Sequence, residues 1–263
     1  MVMRESQDRI TSSSSEWVLS FLPALSETEL TALARSHPLF VSATTAGRVP
    51  ATREIAGAGR DLAAQLWGSL PPDDFIHRGL EAESALYFSI ESALGAVDLK
   101  ALVAGGQADL NQVLSWAMSI QQSRKSRRGQ SLQHHFSFLL SREAVPYSAQ
   151  ARTEGSETPD FLIPGEENYH DPDFPATRLR MVACKSTVRE RWGQILKEAN
   201  RIPEKHLLTV DENLAADVIT KMRASNLRVF VPAPIILDHY GTCAASDLLG
   251  TVNDLLVDLK ATL

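Results

Sequence analysis

The sequence predicts an α/β protein, with a central mixed sheet flanked by helices and a helical N-terminal subdomain before it. Three observations carry this prediction. Apolar residues recur at helical spacing through most of residues 16–120. From Ser131 onward, short apolar runs bounded by Pro or Gly alternate with helical stretches. The composition, 44% hydrophobic and 22% charged, excludes a disordered or collagen-like chain.

The elements follow in order. Residues 1–15 lack an apolar signal core and read as a flexible polar leader. Residues 16–120 form the helical subdomain and residues 121–263 the α/β domain. Ser26-Glu27-Thr28-Glu29 starts a helix before Leu30, Leu33 and Ala34. A turn falls around Gly47, Val49 and Pro50. A second helix covers 60–70 and stops at Pro71-Pro72. Asp73 caps a third helix, which runs through Ile76, Leu80, Ala85 and Phe88. Trp67, Phe75, Tyr87 and Phe88 are assigned to the core. Gly105-Gly106 breaks the pattern, and 109–118 resumes it. A helix over 131–141 turns Leu132, Phe136, Leu139 and Leu140 inward. Strands are expected near 145–155, over 160–163 between two prolines, and over 179–186, 206–210 and 227–231. Helices are expected over 189–200, 214–225 and 246–259, with Ser246 as the last N-cap.

Charge narrows the function. The net charge of −6 argues mildly against nucleic acid, but the distribution does not. Between residues 110 and 142 there is no Asp or Glu, yet Arg124, Lys125, Arg127, Arg128 and Arg142 lie there. Segregation of this kind can hold a phosphate backbone even on an acidic chain. Two cysteines, Cys184 and Cys243, make no disulfide framework. No apolar run approaches the roughly 20 residues that cross a bilayer. A soluble cytoplasmic protein of a bacterial type, without a membrane partner, is expected.

The chemistry centres on Asp160 and Lys185, each in a short strand. Strand alternation puts Lys185 on the face of Ala183 and Met181. PD-(D/E)XK nucleases pair an Asp on one strand with an acid-x-Lys on the next. Their carboxylates hold Mg2+ and the Lys positions or activates the attacking water. Here Ala183 stands at the acid position, so a ligand is missing. Glu198, on the next helix, borders the stripe of Trp192, Ile195 and Ala199. It could complete the site, or it could be a solvated residue paired with Arg191 or Arg201.

SRKSRRGQSLQHHFSFLL, TPDFLIPG, YHDPDFP, LRMVACKSTVRERWGQILKEANRI and HLLTV stand in this order. Over 123–231 the chain resembles the EcoRII/PspGI/SsoII family of type II restriction endonucleases, the CC…GG-recognising branch of the PD-(D/E)XK superfamily. The resemblance implies a PD-(D/E)XK restriction-endonuclease-like core, with the catalytic acid displaced onto the helix after the Lys strand. It implies Asp160, Lys185 and Glu198 as catalytic residues, and Mg2+ held by Asp160, Glu198 and the backbone carbonyl of Cys184. Gln133 stands where the family's RxxRxGxSLE pattern ends in Glu, which leaves a second metal in doubt. Arg124 and Arg127 match the RxxR positions and are assigned to guanine reading. Lys125 and Arg128 are assigned to phosphates, and Arg189 and Arg191 to the scissile backbone. Tyr169-His170-Asp171 is read as structural or as a phosphate contact. His134-His135 cannot chelate as i, i+4 pairs do. The resemblance further implies double-stranded DNA as substrate, a homodimer, base flipping at the site centre and a companion methyltransferase. Two other readings stand beside it: a catalytically silent DNA-binding protein of the same fold, and a helical protein whose basic segments bind an acidic partner.

Overall fold

The structure, a computed structural model, describes residues 25–104, 109–154, 158–188, 192–241 and 246–263. Helices α1 (Glu27–Ser36), α2 (Pro38–Ala46) and α3 (Thr52–Trp67) pack on the first half of α4 (Pro72–Val103). The capping box expected at Ser26 and Glu29 is formed, with each side chain bonding the other's backbone. Helix α3 starts at Thr52, eight residues before the expected start. Leu30, Ile55, Leu62, Leu86 and Ile90 form the core of this part.

Helix α5 (Leu110–Arg142) is one continuous rod, so it runs through residue 120, where the two sequence regions meet. It lies antiparallel to α4. Gly95 approaches Trp116, Glu91 holds Arg124, Glu83 bonds Ser131, and Gly79 faces His135. One of these meetings, and one between α3 and α4, depend on glycine. A Cβ at Gly79 would come within 2.8 Å of the His135 ring, and one at Gly59 of α3 within 2.7 Å of Glu83.

The sheet has the order β1-β2-β3-β4-β5-β6, from Ser148–Ala149, Phe161–Ile163, Arg180–Lys185, Lys205–Thr209, Leu227–Phe230 and Leu249–Gly250. The first two pairings are antiparallel and the other three parallel. Alternation along β3 divides the core. Met181 and Ala183 join Leu207, Ile219 and Val229 on one face. Val182 and Cys184 join Phe136, Leu139, Phe230 and Leu255 on the other, under α5 and α10 (Val252–Lys260).

Four local expectations are corrected. The 145–155 strand shrinks to Ser148–Ala149. Of the helix expected over 189–200, the described residues 192–200 form one turn, α7 (Trp192–Ile195), followed by a series of three-residue turns. Gly193 weakens it, and Ala199 has a left-handed φ of 49°. The closing helix begins after Thr251, not Ser246, and Thr251 with Asp254 forms its capping box. Residues before it pair as β6, where Gly250 leaves room for the Phe230 ring, which a Cβ would meet at 2.6 Å. Finally, Asp73 lies inside the first turn of α4 and caps something remote. Its carboxylate accepts bonds from Ala233 N, Val252 N and Asn253 N, so it holds α9 (Ala233–Ile235) and the start of α10 to the helical part.

Candidate active site

The β2–β3 pairing brings the central residues together. Phe161 faces Val182 across the ladder, which places Asp160, one residue before β2, beside the end of β3. The Asp160 backbone carbonyl accepts a bond from Gln150 N and is fixed by the β1–β2 connection. Its side chain is buried, with one edge open. Oδ2 accepts the Cys184 N–H at 2.7 Å and lies 3.2 Å from Lys185 Nζ. Oδ1 accepts the Gln133 amide of α5 at 2.8 Å. Thus three of the sequence-predicted residues, Asp160, Lys185 and Gln133, meet directly, and the Cys184 backbone touches the same carboxylate. The Lys185 side chain is 43% exposed, so its ammonium stands between Asp160 and solvent. Cys184's thiol points into the core, and burial pushes it well above its ordinary value.

Glu198 stands apart from these direct contacts. It lies half-buried in the turn after α7, and its charge acts on Lys205. Lys205 itself donates to the carbonyls of Ala199 and Ile202 and holds that turn. Arg189 and Arg191 lie outside the described residues.

Lys185 opens onto a cleft of about 1150 Å³ between the sheet edge and the α4–α5 pair. Arg124, Lys125, Arg127 and Arg128 line its wall, about one and a half to two and a half helical turns from Gln133 on the same helix. Arg124 is exposed but clamped. Nε and Nη2 both donate to Glu91, and the guanidinium lies 5.1 Å over the Phe88 ring. Glu91 raises the pKa of Arg124 and is itself fixed by the Tyr87 hydroxyl. Arg127 is half-buried. Nη2 donates to the Pro50 carbonyl, its plane lies over Tyr87, and Nη1 finds no partner among the described residues. Lys125 and Arg128 are exposed on the cleft wall.

Other residues fall into structural roles. Tyr169 OH donates to Glu154 and accepts from Arg201 N, so the YHD segment ties two loops together, and burial pushes its hydroxyl up to about 12. His135 is buried against Glu83 at 2.8 Å, and burial holds its imidazole below the ordinary value. Phe88 departs from its expected place in the core and is 48% exposed on the cleft wall. Glu91, Glu83 and Asp211 were not singled out by the sequence. Asp211 accepts Val188 N and orders the chain just after Lys185. The Tyr87–Glu91 i, i+4 spacing was the one local signal available for Glu91.

Asp160 offers the hard oxygen donors that a divalent cation takes. A carboxylate has about four acceptor positions, and Asp160 uses three of them on Gln133, Cys184 and Lys185. Among the described residues no group of three or more His, Cys, Asp and Glu could hold a metal. Mg2+ accepts so sparse a set, because water and substrate oxygens complete its shell.

The comparisons fit this geometry. The family model described as EcoRII C terminal matches residues 91–256, which is more than half of the chain. The chain belongs to this family. It is 36% identical over 168 residues to the type II restriction enzyme EcoRII of Escherichia coli, covering 64% of this chain and 41% of that protein. It is 26% identical over 123 residues to the type II restriction enzyme SsoII of Shigella sonnei, covering 43% and 39%. The chain thus spans about two fifths of each curated relative. Among solved structures, metal-depleted Ecl18kI in complex with uncleaved DNA superposes with a TM-score of 0.66 at 17% identity, over 90% of this chain and 85% of that one. The PspGI–substrate DNA complex gives 0.63 at 18% identity, over 82% and 93%. These likenesses establish the EcoRII C-terminal fold, a mixed sheet flanked by helices with a helical N-terminal part. Among the described residues no helix is long and apolar enough to cross a membrane.

Proposed function

We propose that this chain is a type II restriction endonuclease, a site-specific deoxyribonuclease that makes Mg2+-dependent double-strand cuts. Its site is a palindrome containing CC…GG, with or without a central interrupting base pair. The observation that carries the reading is the Asp160–Lys185 contact at the mouth of a basic cleft, in a member of the EcoRII C-terminal family.

Asp160 and Glu198, with the Cys184 carbonyl, would hold Mg2+, which supplies a positive centre for charge building on the phosphate. The chain's own groups do the rest. Gln133 and the Cys184 N–H fix the Asp160 carboxylate in one orientation. Asp160 in turn holds the Lys185 ammonium at the cleft surface. From there Lys185 orients the attacking water, and only as the uncharged amine would it accept that water's proton. Arg124, Lys125 and Arg128 face the cleft and draw in the duplex. Arg124, and the unpartnered Nη1 of Arg127, are the donors assigned to guanine edges. Arg189 and Arg191 are assigned to the scissile backbone. An extruded central base would stack on the wall that carries Phe88. Cutting both strands of a palindrome calls for two-fold symmetry, so the working unit is a homodimer. A companion methyltransferase would protect the host's own copies of the site.

Digestion of plasmid and pooled genomic DNA with about 10 mM Mg2+ tests this. Fragment ends should share one CC…GG palindrome. Lys185→Ala should cut at least about a hundredfold more slowly while still retarding the duplex in a gel. Specific binding without any cutting by the unmodified chain would replace the proposal with a silent DNA-binding protein.

A further inference from the structure

Two arginines on the cleft wall are each seated on an aromatic ring of α4. Arg124 lies 5.1 Å over Phe88, and Arg127 lies 5.2 Å over Tyr87. The two rings are neighbours, 5.4 Å apart. Arg127 is tethered to the Pro50 carbonyl, and Arg124 to Glu91. The Glu91 side chain is 10% exposed, against 50% for Arg124. Its Oε1 accepts the Tyr87 hydroxyl at 2.6 Å. Burial and Glu91 push that hydroxyl up to about 12, so it stays a donor. The carboxylate therefore lies beneath the guanidinium, on the protein side, and is itself held in place. A carboxylate that merely blocked the arginine would sit on the open side, where an incoming phosphate could exchange with it.

We infer that Glu91 is a positioning residue for DNA recognition: it fixes the plane and direction of the Arg124 guanidinium, so that Arg124 reads base edges in addition to attracting phosphates. The inference rests on the endonuclease reading and on its assignment of Arg124 to guanine. A guanidinium carries five N–H donors. Glu91 takes Nε–H and one N–H of Nη2, which leaves the rest on Nη1 and Nη2. Those two nitrogens form a fork of the kind that guanine O6 and N7 accept. A free arginine side chain would have to give up its rotamer freedom on docking. Glu91 and the Phe88 ring remove that freedom beforehand. Glu91 also offsets the charge of Arg124. Non-specific affinity follows the positive charge set against the phosphate backbone. The pair therefore keeps its directed donors and gives up part of its undirected attraction. One carboxylate raises the ratio of specific to non-specific binding in both ways.

The tether is read first without DNA. The Arg124 Nε–H, assigned by its loss in Arg124→Lys, should exchange slowly with water in a proton–nitrogen spectrum of the full chain and should be lost to fast exchange in Glu91→Ala. Binding is then measured without divalent metal, so that no strand is cut. One duplex carries the CC…GG palindrome found by digestion, and a second of equal length has those pairs replaced by TT…AA. Glu91→Ala should bind the first about ten- to a hundredfold more weakly and the second no more weakly. A general loss of fold would weaken both. Tyr87→Phe keeps the ring under Arg127 and removes the hydroxyl, so it should weaken the first duplex by less and leave the second unchanged. Arg124→Ala should also lose the preference, and the double variant should lose no more than Arg124→Ala alone. Additive losses would overturn the inference, because Glu91 would then act apart from Arg124. Equal weakening on both duplexes would overturn it too, as would an Nε–H signal that survives Glu91→Ala. A full chain that prefers neither duplex would overturn the endonuclease reading and the role of Arg124 with it, while loss of the Nε–H signal in Glu91→Ala would still establish the tether.

Discussion

Asp160 is held by three donors of different kinds: a main-chain N–H, a neutral amide and an ammonium. Only one of the three is charged. The neutral one, Gln133, marks the departure from the family pattern, and its 2.8 Å contact makes the consequence testable. Gln133→Glu would set two carboxylates at hydrogen-bond distance, and like charges so close cannot both ionise without a cation between them. The variant should melt at a lower temperature than the original without Mg2+, by a shift on the order of several degrees. Added Mg2+ should restore more of the melting temperature than it adds to the original. A melting curve insensitive to Mg2+ would show that the second carboxylate finds no metal. Asp160 and Lys185 were legible as an Asp and a Lys on neighbouring short strands, a pattern the family resemblance made specific, and Gln133 was legible only through that resemblance. Glu91 was not, because its role is to clamp an arginine 33 residues away. Apart from its i, i+4 spacing from Tyr87, nothing local distinguishes it from any other helix-surface acid.

At the scale of elements, α5 does two jobs with one rod: it forms the cleft wall and delivers Gln133 to the site. Its alignment depends on α4 at a few tight meetings. Gly79→Ala should gain up to about 1 kcal/mol of helix propensity but force the buried His135 ring away from Glu83, at about 1–3 kcal/mol. The net should be a loss, read as a lower urea midpoint, and cutting should fall with it as the Arg124 wall shifts. An unchanged midpoint would show that α5 can move aside without strain. Asp73→Ala should cost about 2–3 kcal/mol by leaving buried N–H groups unpaired, measured in the same way. Helices α1, α4 and α8 (Ala216–Ala224) and strands β2 to β5 were legible because period and punctuation agreed there. The segment after α7 was not. Its apolar spacing is helical, but Lys205 captures two of its carbonyls from a later strand. That is a tertiary bond, which no window of local sequence contains. The remote capping by Asp73 escaped notice for the same reason, since its partners lie 160 to 180 residues downstream.

Across the whole molecule, one carboxylate ties the sheet to the last helix. Asp258 on α10 meets Arg180 at 2.9 Å, His206 at 3.3 Å and Arg228 at 3.3 Å, from the starts of β3, β4 and β5. His206 and then Arg180 hold its carboxyl well below the ordinary range, against an opposing effect of burial. A carboxyl depressed in the folded chain binds its proton more readily when unfolded, where Asp titrates near 3.9. Its stabilising effect is therefore complete above about pH 5 and is lost as the pH falls from there toward its folded value. Asp258→Asn removes that charge at every pH. The stability gap between the original chain and the variant should be fully developed at about pH 5 and should narrow steadily as the pH falls below about 4. Urea unfolding at a series of pH values measures it. A gap that stays constant down to about pH 2 would mean that Asp258 acts through packing and neutral hydrogen bonds, not through its own negative charge.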